Sequence, residues 1–345
     1  MRTETVHSKA LSISLEDKVA FLKRPSTYPD GPDEVGVIET HMSWVFLTKN
    51  YVYKLKKPVR SDFLDFSTLD SRSQDCRAEV KLNGRLAPDV YLETVPLTVD
   101  KHGGLQLDGS GDVVEWLVKM KRLPRDHMLD HAIQQRTVRR EDVRRFSKKL
   151  ACFYDNAHPI EIMPAAYCHR FEQDIQDNCT ELSRSEYGFP QAVTERITVV
   201  QREFLERGRA LLEQRARDHK IIEAHGDLRP EHVCMIEKPV FIDCLEFKKA
   251  FRILDPADEL SYLAMECERL GTTWIGDLVF ETYGEVADDY PPSELLHFYK
   301  SFRAALRAKI TIWHLKDDKI HERHKWVRRT QHYLDLADKH AQQLR

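Results

Sequence analysis

The sequence predicts an α+β protein in two parts, a β-rich N-terminal third and a larger helical remainder. Three observations carry this expectation. Runs rich in β-branched and aromatic residues crowd the stretch 37–120, as strands require. Beyond about residue 121, apolar side chains recur at helical spacing over long stretches. A single β-rich island, 221–247, interrupts those helices.

The elements follow in order. Runs 37–48 and 51–56 flank Lys49-Asn50 and read as a hairpin. Residues 69–86 have helical spacing, with Ala78, Leu82 and Leu86 on one face and Asp70 or Ser71 as the cap. Strands are expected at 90–99 and 113–120, with the Gly-rich stretch 103–111 as the loop joining them. Residues 139–157 (Val143, Phe146, Leu150, Phe153) predict one amphipathic helix, and 191–217 (Val193, Ile197, Val200, Phe204, Leu211) a longer one. Further helices are expected at 256–270, 273–287, 292–315 and 320–344. The predicted division is 1–121, including an N-terminal helix, and 122–345.

Composition removes several function classes. At about 150 residues per domain, 345 residues make two units or one two-lobed enzyme. Lys+Arg is 53 and Asp+Glu 56, a net charge of −3, which excludes a polybasic nucleic-acid coat and an acidic tail. The seven Lys/Arg between Arg136 and Lys149 sit at helical spacing without interleaved aromatics, so they read as a solvated face and no nucleic-acid partner is expected. No apolar run is long enough to span a bilayer, and Met1–His7 leads into no apolar segment of the secretory kind. The seven cysteines form no CxxC pair, which argues against a zinc ribbon or disulfide framework. A cytoplasmic protein without a membrane partner is expected, its oligomeric state open.

The chemistry concentrates in the β island. His225-Gly226-Asp227-Leu228 follows one short apolar run, and Asp243 ends another, Val240-Phe241-Ile242. A hairpin between them would bring both carboxylates together. Such a pair suits phosphoryl transfer: one acid orients an acceptor hydroxyl and takes its proton, the other holds a divalent metal on the phosphates.

These residues resemble the catalytic and metal-binding signature of the aminoglycoside phosphotransferase family, which shares the bilobal fold of protein kinases, whose loop reads H-R-D-x-x-x-x-N and is followed by D-F-G. Arg252-Ile-Leu-Asp255-Pro-Ala-Asp258-Glu259 and Tyr299-Lys-Ser-Phe-Arg303-Ala304 are similar to family segments as well. The resemblance spans roughly residues 36–310, and its nearest form is a bacterial group of unassigned substrate. It implies a protein-kinase-like fold with a small β-rich lobe and a large helical lobe, and a cofactor pair of ATP or GTP with Mg²⁺, Mn²⁺ being possible. It implies Asp227 as the catalytic residue and Asp243 as a metal ligand. Lys54 would hold the phosphates, Lys56 being the alternative on the same strand face, with Glu79 as the lysine's partner. Residues 115–120 would run into an adenine-binding hinge at Met120. The partner would be a small molecule bearing a hydroxyl.

Three departures bear on that picture. His232 stands where the family has a metal-binding Asn, so it is either a second ligand of softer kind or a structural residue. Thr40-His41-Met42-Ser43 replaces a Gly-rich loop, and no G-x-x-x-x-G-K-[ST] is present, so one kinase-like unit is expected. Glu246 reads as a metal-site helper or a structural residue, and Asp255 and Asp258 as anchors for the following helix and its Arg neighbours. For a cationic acceptor, Glu266, Glu268, Asp288 and Asp289 are the available acids. The C-terminal histidines, including His314, His321 and His340, read as surface. The rival to an active enzyme is a nucleotide-binding regulator with a silent kinase fold. A protein kinase is disfavoured because nothing between Asp243 and residue 260 looks like an activation segment.

Overall fold

The computed structural model describes residues 13–61, 64–316 and 322–345; the expectations for the first seven residues and for His321 lie outside these. The chain forms two compact units: one of residues 1–123 with 246–248, the other of residues 124–245 and 249–345. The short excursion 246–248 has no counterpart in the expected single boundary.

The first unit begins with α1 (Leu15–Leu22), capped by the Ser14 hydroxyl, which accepts from the Asp17 N–H. A six-stranded antiparallel sheet follows: β1 (Gly36–Glu39), β2 (Ser43–Leu47), β3 (Tyr51–Lys56), β6 (Tyr91–Val99), β7 (Leu105–Leu107) and β8 (Asp112–Lys121), in the order β1-β2-β3-β8-β6-β7. A small ribbon, β4 (Arg60–Ser61) with β5 (Leu64–Asp65), precedes α2 (Leu69–Asn83). Strand alternation gives β3 two different faces. Tyr53 and Leu55 are buried with Phe46, Leu97, Leu117 and the Val19 and Leu22 side chains of α1. Lys54 and Lys56 belong to the other face, as do Val118 and Met120, paired to Lys54 and Val52.

Several sequence expectations for this unit are corrected. The run 37–48 is two strands, because residues 40–42 turn the chain. The Gly-rich stretch contains β7, a strand too short to register against its turn residues. Thr68, not Asp70 or Ser71, caps α2 by accepting the Ser71 N–H. The buried face of α2 is Arg72, Ser73, Cys76, Glu79 and Asn83, not the apolar line through Ala78 and Leu82. Charge is tolerated there because it is paired: Arg72 grips Glu115 of β8 through Nε at 2.9 Å and Nη2 at 2.8 Å, and Lys18 of α1 adds a third contact at 3.0 Å.

The second unit is helical: α3 (Leu129–Gln134), α4 (Arg140–Asp155), α5 (Pro164–Leu182), α6 (Gln191–Arg207), α7 (Arg209–Arg217), α8 (Pro256–Arg269), α9 (Thr273–Ala287), α10 (Ser293–Ile312) and α11 (Arg323–Gln342). The stretch read as one helix over 191–217 breaks at Gly208, where a Cβ would meet the Phe204 carbonyl oxygen at 2.9 Å. Helix α5 has no counterpart among the expected elements; Tyr167, Phe171, Ile175 and Leu182 form its buried stripe. No described helix is long and apolar enough to cross a membrane.

Helix α8 is buried from Pro256 to Cys267 and organises this unit. Its N-cap Asp255 accepts the Ala257 N–H at 2.8 Å and takes Arg215 through two bonds of 2.7 Å. Asp258 holds Arg303 of α10. Both acids thus anchor helices. In the basic run, Arg139 and Arg145 pair with Asp142, and Arg144 with Glu281. His340 is buried, not superficial; its ring contacts Glu268 at 3.0 Å and His297 at 3.0 Å.

Candidate active site

The β island folds as β9 (Ile222–Glu223), β10 (Val233–Cys234) and β11 (Val240–Phe241), with β12 (Ile253–Leu254) pairing back onto β9. The β10–β11 hairpin is the one the sequence required. Two backbone bonds extend its reach: Ile242 N–H donates to His232 at 3.0 Å, and Leu245 N–H to His225 at 3.2 Å. They bring the segment before Asp227 alongside the segment around Asp243.

His225 completes this link. Its Nε2 bonds the Ile242 carbonyl at 2.9 Å, and its Nδ1 accepts the Asp227 N–H at 3.3 Å. One neutral tautomer satisfies both contacts. Burial, with the neighbouring His232, pushes its pKa down to about 3, so the ring is a neutral spacer and not a base. Gly226 is required beside it. Its φ is +91°, and a Cβ would meet the Arg252 Cγ at 3.1 Å and the Phe251 carbonyl at 3.2 Å.

Glu259, from the first turn of α8, anchors the same loop. Its carboxylate accepts the His225 N–H at 3.0 Å, the Gly226 N–H at 2.6 Å and the Tyr154 hydroxyl at 2.8 Å. Burial pushes its carboxyl up, and these three donors offset part of that shift.

Asp227 is held at both oxygens. Tyr262 of α8 donates its hydroxyl to Oδ1 at 2.9 Å, and Arg229 reaches Oδ2 at 2.9 Å. Burial would raise its carboxyl, but Arg229, His232 and Arg307 outweigh that and hold it well below the usual carboxylate range. Asp243 stands in the left-handed region at φ +60°, a conformation Asp adopts more readily than most residues. Its side chain is half exposed.

The imidazole of His232 lies between the two acids. Nδ1 is 3.7 Å from the Asp227 carboxylate and Nε2 is 3.6 Å from that of Asp243. Nδ1 donates to the Asp227 carbonyl at 2.7 Å, and Nε2 lies 3.2 Å from Arg229 Nη2. With Nδ1 protonated, Nε2 accepts from Arg229. The geometry therefore makes His232 a brace for the loop more readily than a metal ligand.

In the first unit, both candidate lysines meet Glu79, which is fully buried. Lys54 donates to Oε1 at 2.8 Å and Lys56 to Oε2 at 2.6 Å. Lys56, 1% exposed, also pairs with Asp75 at 2.6 Å and with Glu246. Its pKa is driven far above the usual lysine value: Glu79 and Glu246 outweigh the opposing effect of burial. Lys56 is therefore the buried centre of a carboxylate cluster, and Lys54, at 16%, is the more open residue. The Asp75, Glu79 and Glu246 oxygens lie close enough to hold an ion, but the Lys56 ammonium already occupies their centre, hydrogen-bonded to Glu79 and Glu246 and ion-paired with Asp75. Glu246 is thus a partner of Lys56. Met120 sits half-buried in β8, opposite Val52 and Tyr91.

The acids proposed for a cationic acceptor are taken up elsewhere. Glu266 is fully buried and accepts Tyr333 and Arg269, each at 2.7 Å. Glu268 binds His340 and Lys339, and Asp289 binds Arg215 and Tyr283. Asp288 is the exposed C-cap of α9. The site residues that the sequence did not flag are Arg229, Tyr262 and Arg307; Glu259 enters there only as part of a family-like segment, without a role. Of the three, Arg229 alone carried a local signal, two positions from Asp227.

The choline/ethanolamine kinase family protein of Mesorhizobium loti superimposes with a TM-score of 0.52 at 13% identity, covering 95% of this chain and 98% of that one. The choline kinase of Cryptosporidium parvum does so with a TM-score of 0.54 at 10% identity, covering 94% and 96%. The fold is that of these two solved structures. This agrees with the bilobal kinase-like fold and the α+β class expected from the sequence. An aminoglycoside phosphotransferase of Alicyclobacillus acidocaldarius overlaps more loosely, with a TM-score of 0.45. No family model matches the chain. Uncharacterized proteins of Mycobacterium bovis and Mycobacterium tuberculosis are 29% identical over 282 residues, 80% of this chain. The chain spans 54% of the length of these curated relatives.

Proposed function

We propose that this protein is an ATP-dependent phosphotransferase that moves the γ-phosphoryl group to a hydroxyl of a small molecule, GTP being the other candidate donor. The observation that carries the reading is the placement of Asp227 and Asp243 on opposite nitrogens of one imidazole, 3.7 and 3.6 Å away. Paired acids in a kinase-like loop are the parts that phosphoryl transfer needs.

Lys54, oriented by Glu79, binds the donor's phosphates. Asp243 supplies a half-exposed hard oxygen, which fits Mg²⁺, an ion commonly bound through one or two carboxylates plus substrate phosphates. When bound, that ion would neutralise charge on the phosphates. Asp227 accepts a hydrogen bond from the acceptor hydroxyl and aligns its oxygen with the γ-phosphorus. The new O–P bond forms as the bond from phosphorus to the ADP oxygen breaks, and the hydroxyl proton passes through Asp227 to solvent. A carboxyl held this low is a weak base, so its main contribution is orientation, with the proton leaving late. That suits a loose transition state in which positioning and electrostatics dominate.

The test is single-turnover transfer of labelled phosphate from MgATP across a metabolite and aminoglycoside panel. Asp227→Ala and Asp243→Ala are each expected to lower the rate by about 10²–10⁴-fold. Either variant turning over like the parent overturns the assignment. MgATP binding without transfer to any acceptor would favour the regulator, a reading prompted by His232 in place of Asn.

A further inference from the structure

Two of the cations that act on Asp227, Arg229 and Arg307, each bury an Nε without a hydrogen-bond partner. Arg307 of α10 is only 13% exposed, yet its side chain makes no hydrogen bond to any described residue. Its Nε is buried without a hydrogen-bond partner. The nearest acid oxygen is Glu266 Oε1 at 3.3 Å, which already accepts the Tyr333 hydroxyl at 2.7 Å. Arg269 of α8 uses Nε on the other Glu266 oxygen, and its remaining N–H groups meet no described acceptor. One carboxylate thus faces two guanidiniums, each with five donors to satisfy. Arg229 pairs with Asp227 and Glu231, yet its Nε is also buried without a partner.

A nearly buried guanidinium with unused donors is costly unless something completes it. Planar forks of this kind match carboxylate and phosphate oxygens and repel ammonium groups. Arg307 also lies within electrostatic reach of the Asp227 carboxylate, where an acceptor hydroxyl would be aligned. The two acids that meet these guanidiniums, Glu266 and Glu231, are each taken up by arginine.

We propose that the acceptor is an anionic hydroxy compound, its carboxylate or phosphate ester bound by Arg307 and Arg269 while its hydroxyl meets Asp227. The hydroxyl's role rests on the phosphotransferase reading; the anion subsite rests on the guanidiniums alone. It is opposite in sign to what choline or ethanolamine, both cations at neutral pH, would require.

The experiment titrates the whole chain calorimetrically with four minimal probes: D-glycerate, glycerol 3-phosphate, glycerol and ethanolamine. At least one anionic probe is expected to bind about tenfold or more tighter than glycerol, the increment of one charge-assisted pair. The carboxylate and phosphate arms tell which anion is taken. Arg307→Met should abolish the preference and Arg307→Lys retain part of it; Arg269→Met is the second variant, and thermal melts check that each folds. Ethanolamine binding tightest, anionic probes binding no tighter than glycerol, or a preference that survives both Met variants overturns the proposal. The same probes are then offered as acceptors with labelled MgATP. No transfer, with the binding order intact, sinks the phosphotransferase reading and leaves the subsite standing. Transfer that favours ethanolamine sinks the subsite alone.

Discussion

Two buried charge clusters in this protein both set cations against carboxylates and end differently. In the β-rich unit, Lys56 is enclosed by Asp75, Glu79 and Glu246, and its ammonium pairs with all three. In the helical unit, Arg307 and Arg269 share the single carboxylate of Glu266. The first cation has more acid than it needs; the second pair has less. A closed cluster holds a fold together, whereas an open one keeps donors that no described residue satisfies. The same contrast appears within β3. Lys56 is committed to structure, while Lys54, two residues away on the same face, remains partly exposed beside Glu79.

The largest expected effect is on the closed cluster. Lys56→Met leaves three carboxylates facing one another in a buried place, and breaking a buried pair from one side costs about 3–5 kcal/mol. Chemical denaturation should show that loss in full. Lys54→Met should shift the denaturation midpoint far less but raise the KM for ATP by about tenfold or more, the worth of a charge-assisted bond to phosphate. Equal stability losses for the two lysines would erase the distinction between them.

The next effect belongs to the loop that carries Asp227. Glu259→Gln keeps the shape but removes the charge that holds the His225 and Gly226 N–H groups and the Tyr154 hydroxyl. Hydrogen bonds to a charged group contribute about 1.5–3 kcal/mol each, and an amide presents one oxygen where three donors converge. A stability loss of about 2–3 kcal/mol is expected. A displaced Asp227 should lower kcat by up to about 10²-fold while ATP affinity holds. Unchanged kcat in a destabilised variant would make Glu259 a helix anchor and nothing more.

What could be read from the sequence follows the range of the interactions. The His225-Gly226-Asp227 loop and Asp243 are legible because their chemistry is packed into one short hairpin. The long helices are legible through their apolar period. The face of α2 misled because its buried residues are mostly polar, and the two charged ones, Arg72 and Glu79, find partners on β8 and β3 that no apolar period announces. Helix α5 carries its own apolar stripe, Tyr167, Phe171, Ile175 and Leu182, and so belongs with the legible elements although no helix is expected there above. Tyr262 and Arg307 were out of reach. Tyr262 meets Asp227 from 35 residues away, and the Glu266 carboxylate beside Arg307 is bound by Tyr333 from 67 away. Periodicity could put them on buried helices but not beside Asp227.

The smallest effect is a slope. His225 is fully buried and neutral, with its pKa pushed down to about 3, while the unfolded chain titrates near the ordinary histidine value of about 6.5. Between those values the unfolded state binds a proton that the folded state refuses. Stability therefore falls as pH falls through this window, by up to about 1.4 kcal/mol per pH unit once the unfolded histidine is fully protonated. Asp227 acts in the same direction, because its carboxyl is also held down, but only where the unfolded aspartate begins to protonate, near pH 4. Measuring unfolding between about pH 7 and 4.5 thus reads mainly the histidines. His225→Gln, which retains a donor and an acceptor for Ile242 and Asp227, should flatten the curve in that range. A slope unchanged in the variant would mean that His225 is protonated in the folded state, and the neutral spacer linking Asp227 to the Asp243 segment would have to be abandoned.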